Sequence, residues 1–202
     1  MRLYDYTHAP NPRLVRMFLA EKGIDVPLEA VDIAAGENRR PQFLEKNPMG
    51  GLPVLELDDG THIAETVAIC RYFEERHPEP PLMGRDPEDK ARVEMWRRRM
   101  ELEIALPVMQ CFRNTSEFFA GRLPQNREYG ETCRAHALRR LEWLDEVLSD
   151  REYVAGEHYT IADATALMGI DFGKVADVRP GEAQKYLRRW HETVSARPSA
   201  NA

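Results

Sequence analysis

Apolar positions in the first part of the chain follow strand and helix patterns in turn. Residues 3–6 and 26–31 are strand-like, and the stretch between them carries its apolar side chains on one helical face. Asn11 is typical of an N-cap, and Gly23 is typical of a C-terminal cap. The apolar face consists of Leu14, Val15, Phe18 and Leu19. This pattern predicts a strand, a helix and a second strand.

The following segment predicts a short helix, a hairpin and another helix. Residues 40–46 have a helical pattern, and residues 52–63 predict two strands joined by an Asp-Asp-Gly turn. Residues 65–76 predict a third helix. The order βαβαββα describes a small α/β domain with a parallel crossover at its start and a hairpin near its end.

A proline-rich segment ends this α/β pattern. Residues 77–81 read His-Pro-Glu-Pro-Pro, and prolines fix φ and remove backbone donors, so a helix cannot continue through them. We therefore expect an α/β domain at residues 1–77, a linker at 78–84 and an all-helical domain at 85–202.

Every strong signal after the linker is helical. Asp86 predicts the N-cap of a long helix, which Pro107 is expected to bend. Thr160 and Asp163 predict a capping box for a later helix, and a last helix is expected over residues 182–196. An amphipathic stripe predicts one more helix with a buried face, formed by Cys133, Ala137, Leu141, Leu144 and Leu148.

Composition and charge exclude several classes of protein. The chain has 28 basic and 34 acidic residues, a net charge of −6, which argues against nucleic acid as its main partner. The Arg97-Arg98-Arg99 run is expected on a solvated helix face or at an interface. No apolar run has the length of a membrane span and no hydrophobic leader is present, so we expect a cytoplasmic protein without a membrane partner.

Cysteine and histidine spacing favours neither a disulfide framework nor a metal site. The three cysteines form no CxxC pair, and we expect them to be plain thiols in apolar surroundings. The six histidines never occur at i, i+4 spacing. We therefore expect no metal.

Four motifs in order give the chain a family resemblance. Residues 11–24 resemble the family's first helix, and residues 47–55 (Asn-Pro-Met-Gly-Gly-Leu-Pro-Val-Leu) resemble the segment that leads into its cis-proline. Residues 65–69 resemble the acid and hydroxyl pair that starts its third helix, and residues 159–163 resemble the capping box of its helical domain. Over essentially its whole length the chain resembles the bacterial cytosolic glutathione S-transferases. The resemblance implies a thioredoxin-like N-terminal domain, an all-helical C-terminal domain that forms the second-substrate site, and a homodimer.

The resemblance also implies an activity, which is detoxifying transfer of glutathione to a small electrophile, or reduction of a disulfide or peroxide. Glutathione would be the co-substrate. Leu52 would pair through its backbone with the cysteinyl part of glutathione, and Pro53 would be cis. Glu65 would bind the ligand's ammonium, and Thr66 with the helix N-terminus would bind its carboxylate.

Two positions depart from the family pattern. Gly51 stands where a lysine that contacts glutathione is frequent, so Arg40 or Gln42 would supply that contact, with Arg39 as a further candidate. Ala9 stands where a serine or cysteine usually activates the thiol, and alanine cannot donate a hydrogen bond.

Other donors must then be considered near the end of the first strand. Asn11 is the best placed because its amide would sit at the positive end of a helix, while Thr7 and Tyr6 are further catalytic candidates. Whether Asn11 serves as the N-cap or as the donor stays open. The expected second-substrate residues are His8, Met109, Phe112 and Arg113.

Ala9 also keeps an alternative function open. A glutathione transferase-like binding or regulatory module would use the same fold to hold a partner with little catalysis.

Overall fold

The computed structural model describes residues 1–202 and divides into two units. The first contains Met1–Leu82 together with Pro198–Ala202, and the second contains Met83–Arg197. The sequence pattern had assigned residues 198–202 to the helical domain, and this assignment is wrong. Arg13 donates to the carbonyl of Ala200 at 3.0 Å, and Ser199 is buried and donates to Glu21, so the C-terminal segment packs on the first helix.

A four-stranded mixed sheet forms the centre of the first unit. The strands are β1 (Arg2–Asp5), β2 (Leu28–Ala30), β3 (Val54–Glu56) and β4 (His62–Ala64), in the spatial order β2-β1-β3-β4. β1 pairs with β2 in parallel, and β3 pairs antiparallel with both β1 and β4. The predicted crossover and hairpin are therefore both present.

The helices of the first unit are α1 (Pro10–Lys22), α2 (Pro41–Leu44) and α3 (Thr66–Arg76), and a 3-10 turn at Glu37–Arg39 precedes α2. α1 packs against α3, and each buries an apolar face that includes Phe18 and Phe73. Gly23 ends α1 in the left-handed conformation, as its sequence position predicts. On α2, Phe43 joins a buried cluster with Tyr4, Val31, Leu52 and Val54.

The second unit contains five α-helices. They are α4 (Pro87–Met100), α5 (Leu106–Thr115), α6 (Arg127–Val147), α7 (Ile161–Phe172) and α8 (Lys185–Ser195). Asp86 caps α4 by accepting from the Asp89 N–H at 2.9 Å, as predicted. The stripe from Cys133 to Leu148 is buried, and all three cysteines of the chain are buried free thiols.

The long helix predicted around Pro107 is interrupted by a wider turn. Residues Glu101–Ala105 form a π-helical segment between α4 and α5, in which the Leu106 N–H donates to the Glu101 carbonyl. Pro107 has no N–H to donate, and a π turn lets the chain pass a proline without breaking the helix. Where the sequence predicts a bend at Pro107, the structure therefore has a π turn directly before the proline.

The Arg97-Arg98-Arg99 run does not form a uniformly solvated face. Arg97 is only 4% exposed and is held by Glu94 and Glu101 at 2.6 Å each. These carboxylates raise its pKa against the opposing effect of burial. Arg98 and Arg99 are exposed, as expected for the run as a whole.

The predicted capping box at the start of α7 is present. The Thr160 side chain accepts from the Ala162 N–H at 3.2 Å, and Asp163 accepts from the Thr160 N–H at 3.0 Å. Asp163 is completely buried and also accepts from Val154 N–H and Trp190 Nε1. One carboxylate therefore ties a loop and two helices together.

None of the helices combines the length and hydropathy needed to cross a bilayer.

Candidate functional site

The register of the sheet brings three segments to one end of the first unit. Tyr4 of β1 lies opposite Val54 of β3, and Val54 lies opposite Ala64 of β4. Because both pairings are antiparallel, the residues that follow β1 and β4 lie beside those that precede β3. The three segments are the turn at residues 6–9, the Leu52–Pro53 pair and the Glu65–Thr66 pair.

The Leu52–Pro53 segment presents unpaired main chain. The Leu52–Pro53 peptide bond is cis, as predicted. The Leu52 side chain packs in the buried cluster that includes Phe43 of α2. The main-chain N–H and carbonyl of Leu52, however, have no hydrogen-bond partner in the protein. Main-chain groups beside a buried core are nearly always paired, so these two are suited to pairing with a bound peptide-like molecule.

Glu65 and Thr66 begin α3 in an unusual conformation. Glu65 has a φ of 70° and a ψ of 123°, and only Asp177 shares a positive φ among the non-glycine residues. Such a backbone is strained and is often found at functional sites. The Glu65 side chain is exposed and has no cationic partner, and the helix N-terminus behind it leaves backbone N–H groups unpaired.

The start of α1 differs from the prediction. The helix begins at Pro10, so the N-cap is Ala9, and Asn11 is the second helical residue with an exposed side chain that caps nothing. The N-cap prediction for Asn11 is therefore wrong. Proline is favoured at the first helical position because its φ is already helical, and this moves the helix start before Asn11.

Two prolines reduce the number of main-chain N–H donors at the start of α1. Pro10 and Pro12 have no N–H, so Asn11 supplies the only N–H of the first three helical positions. No protein group accepts from that N–H. The Ala9 N–H is already used, since it donates to the Tyr6 carbonyl at 2.9 Å.

The other candidates near β1 have different surroundings. Tyr6 is half-buried against the same cluster as Leu52, which connects the turn to the Leu52–Pro53 segment. The Tyr6 and His8 rings make an edge contact with centroids 5.7 Å apart. Thr7 and His8 are both exposed.

The two polar candidates at the start of α2, its N-cap Arg40 and Gln42, are not equivalent. Arg40 is paired with Glu37 at 3.1 Å, whereas the exposed Gln42 has no hydrogen bond within the protein. Arg39 donates to the Met49 carbonyl at 3.2 Å. Gln42 lies three residues after Arg39 and directly before Phe43. Phe43 packs in the same buried cluster as Leu52.

The predicted second-substrate residues of the helical unit lie on α5. Met109 and Phe112 are half-buried, and Arg113 is exposed. Phe112 belongs to an aromatic cluster that the sequence reading did not include. Its ring contacts those of Phe118, Phe119 and Phe172, with centroids 5.3 to 6.3 Å apart.

No group of three His, Cys, Asp or Glu side chains in the protein is arranged to hold a metal ion.

The fold and the site define a class of protein. A thioredoxin-like α/β unit with a cis-proline before β3, followed by an all-helical unit, is the architecture of the glutathione-dependent transferases. Residues 3–81 match the family of glutathione S-transferase N-terminal domains, and residues 100–198 match the family of C-terminal domains. The chain belongs to the glutathione S-transferase family.

Individual relatives match over nearly the whole chain. The chain is 37% identical to Glutathione S-transferase 2 of Saccharomyces cerevisiae, covering 98% of this chain and 87% of the yeast protein. It superposes on the crystal structure of Gtt2 from that yeast with a TM-score of 0.94, covering 98% of both chains. A glutathione S-transferase domain-containing protein of Marinobacter aquaeolei gives a TM-score of 0.95 at 36% identity, covering 98% of this chain and 99% of the other.

Proposed function

We propose that the protein binds glutathione at this end of the first unit and activates its thiolate for conjugation to an electrophile. The observation that carries the proposal is the unpaired main chain of Leu52 at the same end of the sheet as the partnerless Glu65 carboxylate. A tripeptide with a free ammonium group supplies main-chain hydrogen-bond partners for Leu52 and a cation for Glu65.

Each end of glutathione then has a partner of suitable chemistry. The Leu52 N–H and carbonyl pair with the cysteinyl part, as neighbouring strands would. Glu65 binds the ammonium group, and Thr66 with the N-terminus of α3 binds the γ-glutamyl carboxylate. Of the two candidates at the start of α2, Gln42 is favoured over Arg40 because the Arg40 guanidinium is already paired with Glu37.

Thiol activation is assigned to Asn11. A drop of two units from an ordinary thiol pKa of about 8.5 requires roughly 2.7 kcal/mol of preferential thiolate stabilisation. The positive end of a helix supplies about 0.3 to 2 kcal/mol, and a hydrogen bond to a charged group about 1.5 to 3 kcal/mol. Together they suffice. Because Asn11 does not cap α1, its side-chain amide is free to donate.

Calorimetric titration with glutathione tests the binding role. We expect Glu65→Gln to weaken binding at least tenfold, since the desolvated ammonium loses its ionic partner, worth about 1.5 to 3 kcal/mol. Glu75→Gln, at the other end of α3, serves as the matched control because Glu75 is exposed and pairs only loosely with Arg71. Equal dissociation constants for Glu65→Gln and the wild type would remove Glu65 from the site.

The protein is further proposed to be a homodimer. Met95 of α4, Leu102 of the π segment and Leu106 of α5 are 41 to 42% exposed and follow one another at spacings of seven and four. An exposed apolar stripe of this kind suits a self-complementary interface about a two-fold axis. Light scattering should give twice the 23.3 kDa chain mass, and Leu102→Glu should reduce it. Leu28→Glu, on the exposed edge strand β2, should leave this mass unchanged. A wild-type mass of 23.3 kDa would contradict the dimer.

The proposed role is detoxification of small electrophiles in the cytoplasm, with disulfide or peroxide reduction as a further use of the thiolate. Turnover with glutathione and an aryl halide, a mixed disulfide or a hydroperoxide tests the enzyme. Tight glutathione binding without turnover of any of them would support the non-catalytic binding module that Ala9 suggests.

A further inference from the structure

Arg16 makes a buried ion pair that the proposed function does not use. It lies on α1, and its side chain is 11% exposed. One end of its guanidinium pairs with the carboxylate of Asp5, which is 5% exposed and ends β1. The Asp5 carbonyl in turn accepts from the Val31 N–H at 2.8 Å, so the end of β1 is fixed on both sides.

The other end of the guanidinium holds the turn between β1 and α1. Arg16 Nη2 donates to the Thr7 carbonyl at 3.1 Å. This is the only side-chain hydrogen bond to the main chain of residues 6–9. The turn is otherwise closed by the bond from the Ala9 N–H to the Tyr6 carbonyl. Thr7 and His8, in the middle of the turn, are exposed.

Holding the Thr7 carbonyl also orients the next N–H. The Thr7–His8 peptide is trans, and in a trans peptide the carbonyl and the following N–H point in opposite directions. With the carbonyl directed at Arg16, the His8 N–H points away from it. That N–H has no acceptor in the protein, and neither has the N–H of Asn11.

We propose that Arg16 is a positioning residue for the glutathione thiolate, because it fixes the turn that presents the N–H groups of His8 and Asn11. The inference rests on the proposed glutathione site. Arg16 acts through geometry rather than through its charge, since the buried carboxylate of Asp5 neutralises that charge at close range.

Two single variants separate positioning from support of the fold. Arg16→Lys keeps a cation for Asp5 but cannot hold the Asp5 carboxylate and the Thr7 carbonyl together, because it lacks the planar fork of arginine. Asp5→Asn removes the ion pair and leaves the Arg16 contact with Thr7 in place. Both variants are expected to lose stability, so urea denaturation alone does not distinguish them.

The readouts are kcat, KM for glutathione and the pKa of bound glutathione, followed by the ultraviolet absorbance of the thiolate. Arg16→Lys should raise this pKa by about one unit and lower kcat about tenfold, with KM within about twofold of the wild type. Asp5→Asn should change each of them less than about twofold. Equal effects in the two variants, following their stabilities, would overturn the positioning role.

A double variant keeps the test decisive if Arg16→Lys does not fold. Asp5→Asn combined with Arg16→Gln leaves no unpaired buried charge and still lacks the guanidinium bridge to Thr7. It should show the same rise in thiol pKa and the same loss of kcat. Normal kcat in this double variant overturns the inference while the proposed function stands, whereas a wild-type protein that binds no glutathione overturns both.

Discussion

Asn11 is the residue at which the structure most changes the expected behaviour of a variant. Because it is the second residue of α1 and caps nothing, Asn11→Ala should unfold at nearly the wild-type urea concentration. It should nevertheless raise the pKa of bound glutathione and lower kcat, because the side-chain donor is lost. Glutathione affinity, which the proposed site assigns to Leu52, Glu65 and Thr66, should stay nearly unchanged. Steady-state kinetics and calorimetry measure these quantities.

Asn11→Asp is the matched control for charge. It keeps the shape of the side chain but places a negative charge against the thiolate, so it should be stable and slow. Normal turnover of Asn11→Ala, combined with loss of turnover in Thr7→Ala or Tyr6→Phe, would instead assign activation to a hydroxyl near the end of β1.

Asp163 predicts a pH dependence of stability. Its complete burial raises its pKa to about 6, against the opposing effect of its hydrogen bonds, whereas an unfolded aspartate titrates near about 3.9. Between these values the unfolded chain releases the proton first, so this group's stabilisation is full below pH 4 and is lost as pH rises towards 6. Asp163→Asn should remove this trend and lose about 1 to 3 kcal/mol through unpaired donors.

Urea denaturation of the wild type and of Asp163→Asn between pH 4 and pH 7 measures this difference. The other carboxylates titrate in both proteins, so the difference isolates Asp163. A difference in unfolding free energy that is constant with pH would contradict the raised pKa.

At the scale of elements, the sequence predicted features that a few neighbouring residues determine better than features that depend on contacts between distant segments. The Gly23 cap, the Asp86 cap and the Thr160 capping box are set by a few neighbouring residues, and all three are present. The π segment before Pro107 was not predicted: the proline indicated a bend, but not that the chain would widen into a π turn whose residues also contact α7 and α6.

Gly169 shows how closely α7 approaches the π segment. A Cβ atom at Gly169 would lie 2.9 Å from Ala105 Cβ and 3.0 Å from Ala105 Cα. Overpacking costs about 1 to 3 kcal/mol, and a contact this short lies at the upper end. After the roughly 1 kcal/mol that alanine gains in a helix, Gly169→Ala should lower the free energy of unfolding by about 1 to 2 kcal/mol. Gly181→Ala is the control, since its Cβ would meet nothing closer than 3.9 Å. A Gly169→Ala protein as stable as the wild type would refute the close contact.

At the scale of the whole molecule, the order of elements and the family motifs predicted both units and the cis-proline. The sequence could not reveal that Glu65 has a positive φ or that Arg16 joins Asp5 to the turn. Each depends on segments distant in sequence that meet at one end of the sheet. The placement of residues 198–202 against α1 was missed for the same reason.

The pKa of bound glutathione tests the proposed function most directly, because it requires both binding and activation of the thiol. Thiolate absorbance of the saturated wild-type protein should titrate one to two units below the value of about 8.5 for an ordinary thiol. A bound thiol that titrates at the same pH as free glutathione would contradict activation and support a binding module. Absence of binding at millimolar glutathione would contradict the site itself.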